Sequence, residues 1–403
     1  MYRKLVWLFS AAAMVCAAQP LILRTATILD GKGGVLHNKD LVIEADRIAA
    51  IRDHNGRADY DLTALTVMPG WIDTHVHISW HFNRENRLTQ GGGGSEERPE
   101  ETALYTEGDA YKILTGGFTT VQSVGAEVDG PVRDLINAGI LPGPRILTSL
   151  RAITENTGTP DQIRAYVRKM RADGADVVKL FATKSIRDGG AQSMTDAQIQ
   201  ASCGEATAMG LRSVVHAHAS SGAKAAILAG CTSIEHGTFL DDSTLQLMAE
   251  HGTYFDPNFL VLHNYLENKS KFLGIGNYTE DGFAAMNKAL PLVADVTKRA
   301  MKYKVRIVLG TDGVAGAHGR NAEEFIYRVK DGGVPPMQAL ISGTSLAAEA
   351  LRLQNKIGSI AEGMQADIVA AEGDPSKEIT AVRRIAFVMK GGKVYRNESS
   401  RRP

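Results

Sequence analysis

Cysteine is scarce. Three in 403 residues, at positions 16, 203 and 231, are too few for a disulfide framework to stand in for a packed core. Neither sign of charge prevails: 45 Lys+Arg face 45 Asp+Glu with no basic block, so the electrostatic footprint of a nucleic-acid binder is missing. The apolar run Leu5–Val15 is 11 residues long, short of the roughly 18 that span a bilayer. What is present is ordinary globular material, 44% hydrophobic and 22% charged. Disorder, collagen-like structure and a coiled coil are therefore excluded as the main architecture. The length allows two or three domains, or one large α/β domain with an accessory.

Residues 1–18 read as an address. Arg3 and Lys4 precede the apolar run, and Cys16, Ala17 and Ala18 stand before Gln19 and Pro20, the layout of a secretory signal peptide. A lipoprotein cut before Cys16 fits less well, because Val15 is larger than the residue usual there. The mature chain is expected to be exported, periplasmic or secreted, with no stable membrane insertion. Cys16 leaves with the signal, and Cys203 and Cys231 read as small buried residues rather than nucleophiles.

Short β-rich stretches, LILRTATILDG, DLVIEADRIAAIRD and LTVMPG, fill the start of the mature chain and suggest an antiparallel unit. The same texture returns in IGSIAEGMQADIVAAEGD and IAFVMKGGKVYRN. Each stretch is too small for a core, so 19–72 and 357–403 are expected to pair into one small β-sandwich domain. Between them, 73–356 alternates apolar strands with helical stretches that close on glycines such as Gly174, Gly210 and Gly252, where a cap needs positive φ. Eight strands are legible: VMPGWIDTHVH, FTTVQSVG, RILTSL, DVVKLFA, SVVHAHA, SIEHGT, TYFDPNF and RIVLGTD. Eight βα repeats over about 250 residues predict a (β/α)8 TIM barrel of the α/β class. A doubly wound open sheet competes poorly, for it lacks the Gly-rich first turn. Two overlong connections, Ile78 to Thr102 with its Gly91–Gly94 run and Leu260 to Asp281, read as lids or binding loops.

Seven of 11 histidines, His75, His77, His81, His216, His218, His236 and His318, fall at predicted strand C-termini or just beyond. That end of a barrel carries the active site. His75 and His77 are two apart on a strand, so both project from one face and can reach one ion. Lys179 lies inside the apolar run VVKLF, where a charged amine is costly to bury. It is either a snorkelling or paired lysine, or one carboxylated by CO2 into a carbamate able to bridge metals. His216 and His236 end strands five and six, and imidazole is a common ligand of zinc-like ions. Asp312 ends strand eight as a hard anionic ligand and proton carrier.

As a set, HVH after PGWID, the Lys of VVKLFA, the histidines of VVHAHA and SIEHG, and the Asp of VLGTDG resemble the metal-dependent amidohydrolase superfamily. Within it the chain is most similar to the imidazolonepropionase-related and prolidase-like branch, which includes carboxypeptidase-type and ochratoxin-type amide hydrolases. The resemblance implies two divalent metal ions, Zn2+ foremost. His75, His77 and Asp312 would hold the first and His216 and His236 the second, bridged by carboxylated Lys179 and a hydroxide. His216 and His218 compete for one position. The family's ligand directly follows the hydrophobic run, as His216 does, which leaves His218 to face substrate. The mononuclear deaminase branch puts a Glu three residues after that histidine, where this chain has Ala219. Another departure is ITENTGTP, without the Gly-Gly-His that shapes the substrate pocket of many prolidase-like relatives. Barrels of this superfamily often assemble into homo-oligomers, and the sequence leaves the oligomeric state of this chain open.

Weaker candidates surround this set. Tyr254 opens strand seven, where relatives use a tyrosine near the substrate carboxylate or reacting carbonyl. Arg151, Lys184, Arg187 and Arg320 follow strands and can bind a carboxylate, arginine by a bidentate fork. His81 belongs to the first long connection and His318 lies near the rim. The expected reaction is hydrolysis of an amide, in a dipeptide or N-acyl amino acid that releases its C-terminal residue. Metals acidify the bridging water, Asp312 moves the proton, and His218 and Tyr254 stabilise the oxyanion. The rivals are hydrolysis of a cyclic amide, lactone or other ester, and a catalytically inactive scaffold. The scaffold is disfavoured because all six expected ligand positions are filled.

Overall fold

The computed structural model describes residues 19–90 and 97–398. The signal peptide read at 1–18, with Cys16, and the Gly91–Gly94 run lie outside the described residues. The chain is α/β. Its parallel strands are β1 (Trp71–Val76), β2 (Phe118–Ser123), β3 (Arg145–Thr148), β4 (Val177–Phe181), β5 (Arg212–Ala219), β6 (Ser233–Phe239), β7 (Tyr254–Asp256) and β8 (Arg306–Ile307); each falls in a segment read from sequence, to the residue or within one for β4, β5 and β6 and shorter by two to five residues for the others. They follow chain order in two hydrogen-bonded groups: β1-β2-β3, and β4 to β8 led by the short strand Ala152–Ile153. A doubly wound sheet reverses its order at a switch point. The described strands show no reversal.

The two groups meet at both edges. Asp312 N donates to His75 O at 2.7 Å and His77 N to Gly313 O at 2.8 Å, which lays the segment after β8 along β1. Asp176 N donates to Thr148 O at 2.8 Å, joining the end of β3 to the start of β4.

Helices cover the strands for reasons visible in the sequence. The helix Pro160–Ala172 starts at Thr159, whose hydroxyl accepts from Gln162 N while the Gln162 side chain accepts from Thr159 N, a capping box. Ile163, Val167 and Met170 recur on one face and are buried in one cluster with Val178 and Leu180 of β4. Each such burial stabilises by about 1.5–3 kcal/mol. Gly174, Gly210 and Gly252 close helices with φ of 94°, 71° and 67°, as the caps require.

The chain ends build one sheet, in the order Lys393–Asn397, Ile385–Lys390, Ile368–Glu372, Leu65–Pro69, Leu21–Leu29, Val35–Glu44, Arg47–Asp53. Strand Ile368–Glu372 pairs antiparallel with Leu65–Pro69, so the two termini are joined directly. The unit is mixed rather than purely antiparallel: Leu21–Leu29 runs parallel to Leu65–Pro69, because the intervening hairpin returns the chain to the starting side.

Two sequence expectations need correction here. Residues 260–281, read as a lid or binding loop, line the cavity described below through Val261, Leu262 and Tyr265, but they are not a loop throughout: they hold the helices Leu260–Glu267 and Lys269–Phe272, with Tyr265, Phe272, Tyr278 and Phe283 in one apolar cluster. Cys203 and Cys231 are buried but not free. A disulfide joins the helix Asp196–Ala208 to the segment entering β6, since consecutive βα units pack side by side. Among the described residues no helix is long and apolar enough to cross a membrane.

Candidate metal centre

The C-terminal ends of the strands line a cavity open to solvent. His75, His77, Lys179, His216, His218, His236 and Asp312 all line it. Of the three groups of three donors among the described residues, two are made of these lining side chains, and the third is His75, Glu235 and Asp256. His75, His77 and Asp312 make one, and His216, His218 and His236 the other; in each the donor atoms lie within 4.8 Å of one another. Asp312 Oδ1 is 3.1 Å from His77 Nε2 and 3.4 Å from His75 Nε2. Lys179 Nζ is 3.2 Å from the same His75 Nε2. The groups adjoin, with the His75 and His236 rings 5.6 Å apart. His216 and His218, two apart on β5, both face inward as alternation requires. His218 Nδ1 lies 2.9 Å from Thr238 Oγ1, and His216 Nε2 is 3.2 Å from Lys184 O.

Burial sets the protonation. It pulls His75, His216 and His236 well below the usual imidazole range, helped for His75 by Lys179 and for the other two by neighbouring histidines. Burial and then Arg187 bring His218 to about 3. Burial also lowers Lys179, against Glu235, Asp312 and Asp256, and the ammonium makes no ion pair among the described residues. Burial opposes ionisation of Asp312, but His75, His77 and Lys179 together hold its carboxyl below the usual range. Neutral imidazoles and an ionised carboxylate are the ligating forms. A nitrogen-rich set with one hard oxygen suits zinc-like ions. The residues fit two such ions.

Three supports escaped the sequence reading. Glu235 Oε2 is 2.8 Å from His75 Nδ1, and Ser233 Oγ donates to its other oxygen at 2.5 Å. Beneath it Arg328 is paired with Asp256 and Glu324, each at 2.7 Å, all three side chains buried. Asp73 accepts from Thr311 Oγ1 at 2.6 Å and Asn321 Nδ2 at 2.8 Å, holding the turn that presents Asp312. Burial raises Asp73 to about 7 against these bonds. Their signal was available: charged residues within buried strands need partners. His236 and Asp312 have φ of 68° and 49°. Such positions are sparsely populated by residues other than glycine and cluster at functional sites.

Several weaker candidates lie elsewhere. Tyr254 begins β7, opposite Ser233 and Arg306 at the other end of the strands, and stacks on the Arg306 guanidinium at 4.3 Å. Tyr265 lines the cavity instead. His81 is buried, with Nδ1 2.9 Å from Ser79 O and Nε2 3.0 Å from Glu97. His318 lies 2.9 Å from Trp80 O, so it braces the backbone of a lining residue rather than lining the cavity. Arg320 is taken by Glu267 and Glu323, and Arg151 by Glu127 and Asp173. The Lys184 side chain is exposed, and only its carbonyl reaches His216. Arg187 remains in the cavity wall, its Nε donating to Asn277 at 2.8 Å and its guanidinium 4.0 Å above the Tyr278 ring.

A strand-end nitrogen and carboxylate cluster on an α/β framework defines a class of metal-assisted hydrolases, and the chain belongs to the amidohydrolase family, whose profile matches residues 66–395. It is an enzyme that hydrolyses amide bonds in small molecules. Ochratoxinase of Aspergillus niger is 24% identical, over 94% of this chain and 87% of its own. Imidazolonepropionase of Picrophilus torridus is 23% identical, over 87% and 90%. A crystal structure of a Xaa-Pro dipeptidase with methionine bound in its active site superposes with a TM-score of 0.84 at 31% identity, covering 94% of this chain and 100% of that one.

Proposed function

We propose that this chain is a binuclear metal-dependent amide hydrolase that releases the C-terminal residue of dipeptides or N-acyl amino acids. It would work at the rim of a closed (β/α)8 barrel backed by a small β-sandwich from the chain ends. The observation that carries this reading is Lys179, a buried amine with a lowered pKa beside two three-donor groups. A neutral amine can add to CO2 and lose a proton to give a carbamate, the anion a bridging position needs. His75, His77 and Asp312 would hold one ion and His216 and His236 the other, with carboxylated Lys179 shared. When bound, two divalent cations, zinc foremost, would acidify water and polarise the scissile carbonyl. Asp312 accepts the proton on its carboxylate and returns it to the leaving nitrogen. His218, steadied through Nδ1 by Thr238, faces the reacting carbonyl.

Arg187 supports the carboxylate preference. It lines the cavity on aromatic faces and has no acidic partner among the described residues, which leaves its fork for a substrate carboxylate. Phe181, Val261 and Leu262 make the adjoining wall apolar. The dipeptidase relative holds methionine, a free apolar amino acid, in its active site. The Cys203–Cys231 disulfide supports export, since such bonds persist in oxidising compartments.

Lys179→Ala should lose activity by orders of magnitude, with partial recovery in concentrated acetate or propionate, which supplies a bridging carboxylate. Lys179→Arg should not recover, because its cation fills the same space. Full activity of Lys179→Ala without added acid would contradict the reading.

A further inference from the structure

The two histidines of β1 and its end are held differently. His75 has the Glu235 carboxylate behind Nδ1. His77 turns Nε2 toward Asp312, while its Nδ1 is buried without a protein hydrogen-bond partner. Leaving such an atom unpaired is costly. Two more buried polar atoms, Ser79 Oγ and Asp129 Oδ1, also lack a partner of good geometry.

His77 Nδ1, Ser79 Oγ and the Asp129 carboxyl, through its other oxygen Oδ2, converge on one place. A Cβ built on Gly125 would lie 3.4 Å from His77 Nδ1, 3.6 Å from Ser79 Oγ and 3.7 Å from Asp129 Oδ2, its three nearest atoms. Gly125 does not have the positive φ that would demand glycine. What glycine gives here is room in front of three polar groups. Asp129 opens the helix Asp129–Asn137, and its Oδ2 accepts from Ser123 Oγ at 2.7 Å. Favouring that helix N-terminus would account for a carboxylate here, but not for its aim at the space behind a histidine.

We propose that Gly125, Ser79 and Asp129 form a one-water seat behind His77, through which Asp129 orients this imidazole as Glu235 orients that of His75. A water there has three polar partners, the usual number for a buried one. Accepting from Nδ1–H, it fixes the tautomer that presents Nε2 to the ion. Asp129 is thus a positioning residue for one metal, an inference that rests on the binuclear reading above.

Two variants test it. Gly125→Ala places a methyl at ordinary van der Waals distance from all three groups, so it should fold while taking the place of the water. Asp129→Asn keeps the shape and replaces the carboxyl group by an amide. The zinc-loaded protein is titrated with chelators of graded strength, the metal-free protein is melted in parallel, and the wild type and Gly125→Ala are crystallised. In both variants one equivalent of zinc should bind about 10- to 100-fold more weakly, the other should be unchanged, and the metal-free melting temperature should hold. A water bonded to His77 Nδ1 should be present in the wild type and absent in Gly125→Ala. If the variants retain both equivalents as the wild type does, or lose both together with a fall in melting temperature, the proposal is overturned. Should Asp129→Asn not fold, Gly125→Ala decides alone. Fewer than two equivalents in the wild type would overturn the binuclear reading; the seat is then decided by the crystallographic water.

Discussion

Glu235 Oε2 lies 2.8 Å from His75 Nδ1, and this contact orients the imidazole so that Nε2 faces Lys179 and Asp312. Glu235 is the neighbour of His236, whose ring also approaches His75. Strict strand alternation would send the two to opposite faces. The φ of 68° at His236 breaks the alternation and lets both serve one site.

Glu235→Gln should therefore weaken metal binding without unfolding the chain. The neutral amide polarises the His75 N–H less, and loss of such a partner costs about 10- to 100-fold in metal affinity or activity. Competition against a chelator measures it; unchanged affinity would show that His75 is oriented by packing alone.

Arg187 sets the second expectation. A charge-assisted bond to the substrate carboxylate contributes about 1.5–3 kcal/mol, so amidating the substrate, or Arg187→Met, should reduce kcat/KM by roughly 10- to 150-fold. Comparable kcat/KM for free acid and amide would favour an ester, lactone or cyclic amide as substrate.

The Cys203–Cys231 bond closes a segment with a sequence separation of 28. By chain entropy it should stabilise the fold by roughly 3–4 kcal/mol. Thermal melting of the Cys203→Ser, Cys231→Ser double variant checks the sum. Two free thiols in protein from an oxidising compartment would contradict the pairing.

The buried histidines give the metal-free protein an acid limit. His218 falls from 6.5 to about 3, and His75, His216 and His236 are also lowered, by burial first. Between the two values the unfolded chain binds more protons than the folded one, so stability rises with pH there. The contribution is complete above about 6.5 and is lost as pH falls toward 3. Denaturant midpoints across that range should climb with pH; a flat profile would mean the imidazoles are solvated.

The cavity-lining histidines and Asp312 were legible because strand periodicity and βα order act locally. His75 and His77 needed only their spacing of two, and Asp312 only its place after the last strand. The misread residues depended on partners far away in sequence. His318 is engaged by the carbonyl of Trp80, 238 positions earlier, and Arg320 by Glu267. Tyr254 failed on register: β7 has three residues, and the tyrosine is the first, at the end away from the histidine cluster. Glu235 was legible as a buried charge in need of a partner, but strict alternation pointed it away from the face of His236, which the φ of His236 reverses. The cysteine pair required knowing that the helix before β5 packs beside the segment entering β6.

The proposed binuclear centre requires Lys179 to be an anion shared by two metals. Its most direct test is a crystal structure of protein purified without chelator, with anomalous data at the zinc edge. Two ions are expected, one by His75, His77 and Asp312 and one by His216 and His236, with carbamate density on Lys179 reaching both. A bare Lys179 amine beside two fully occupied metals would contradict it.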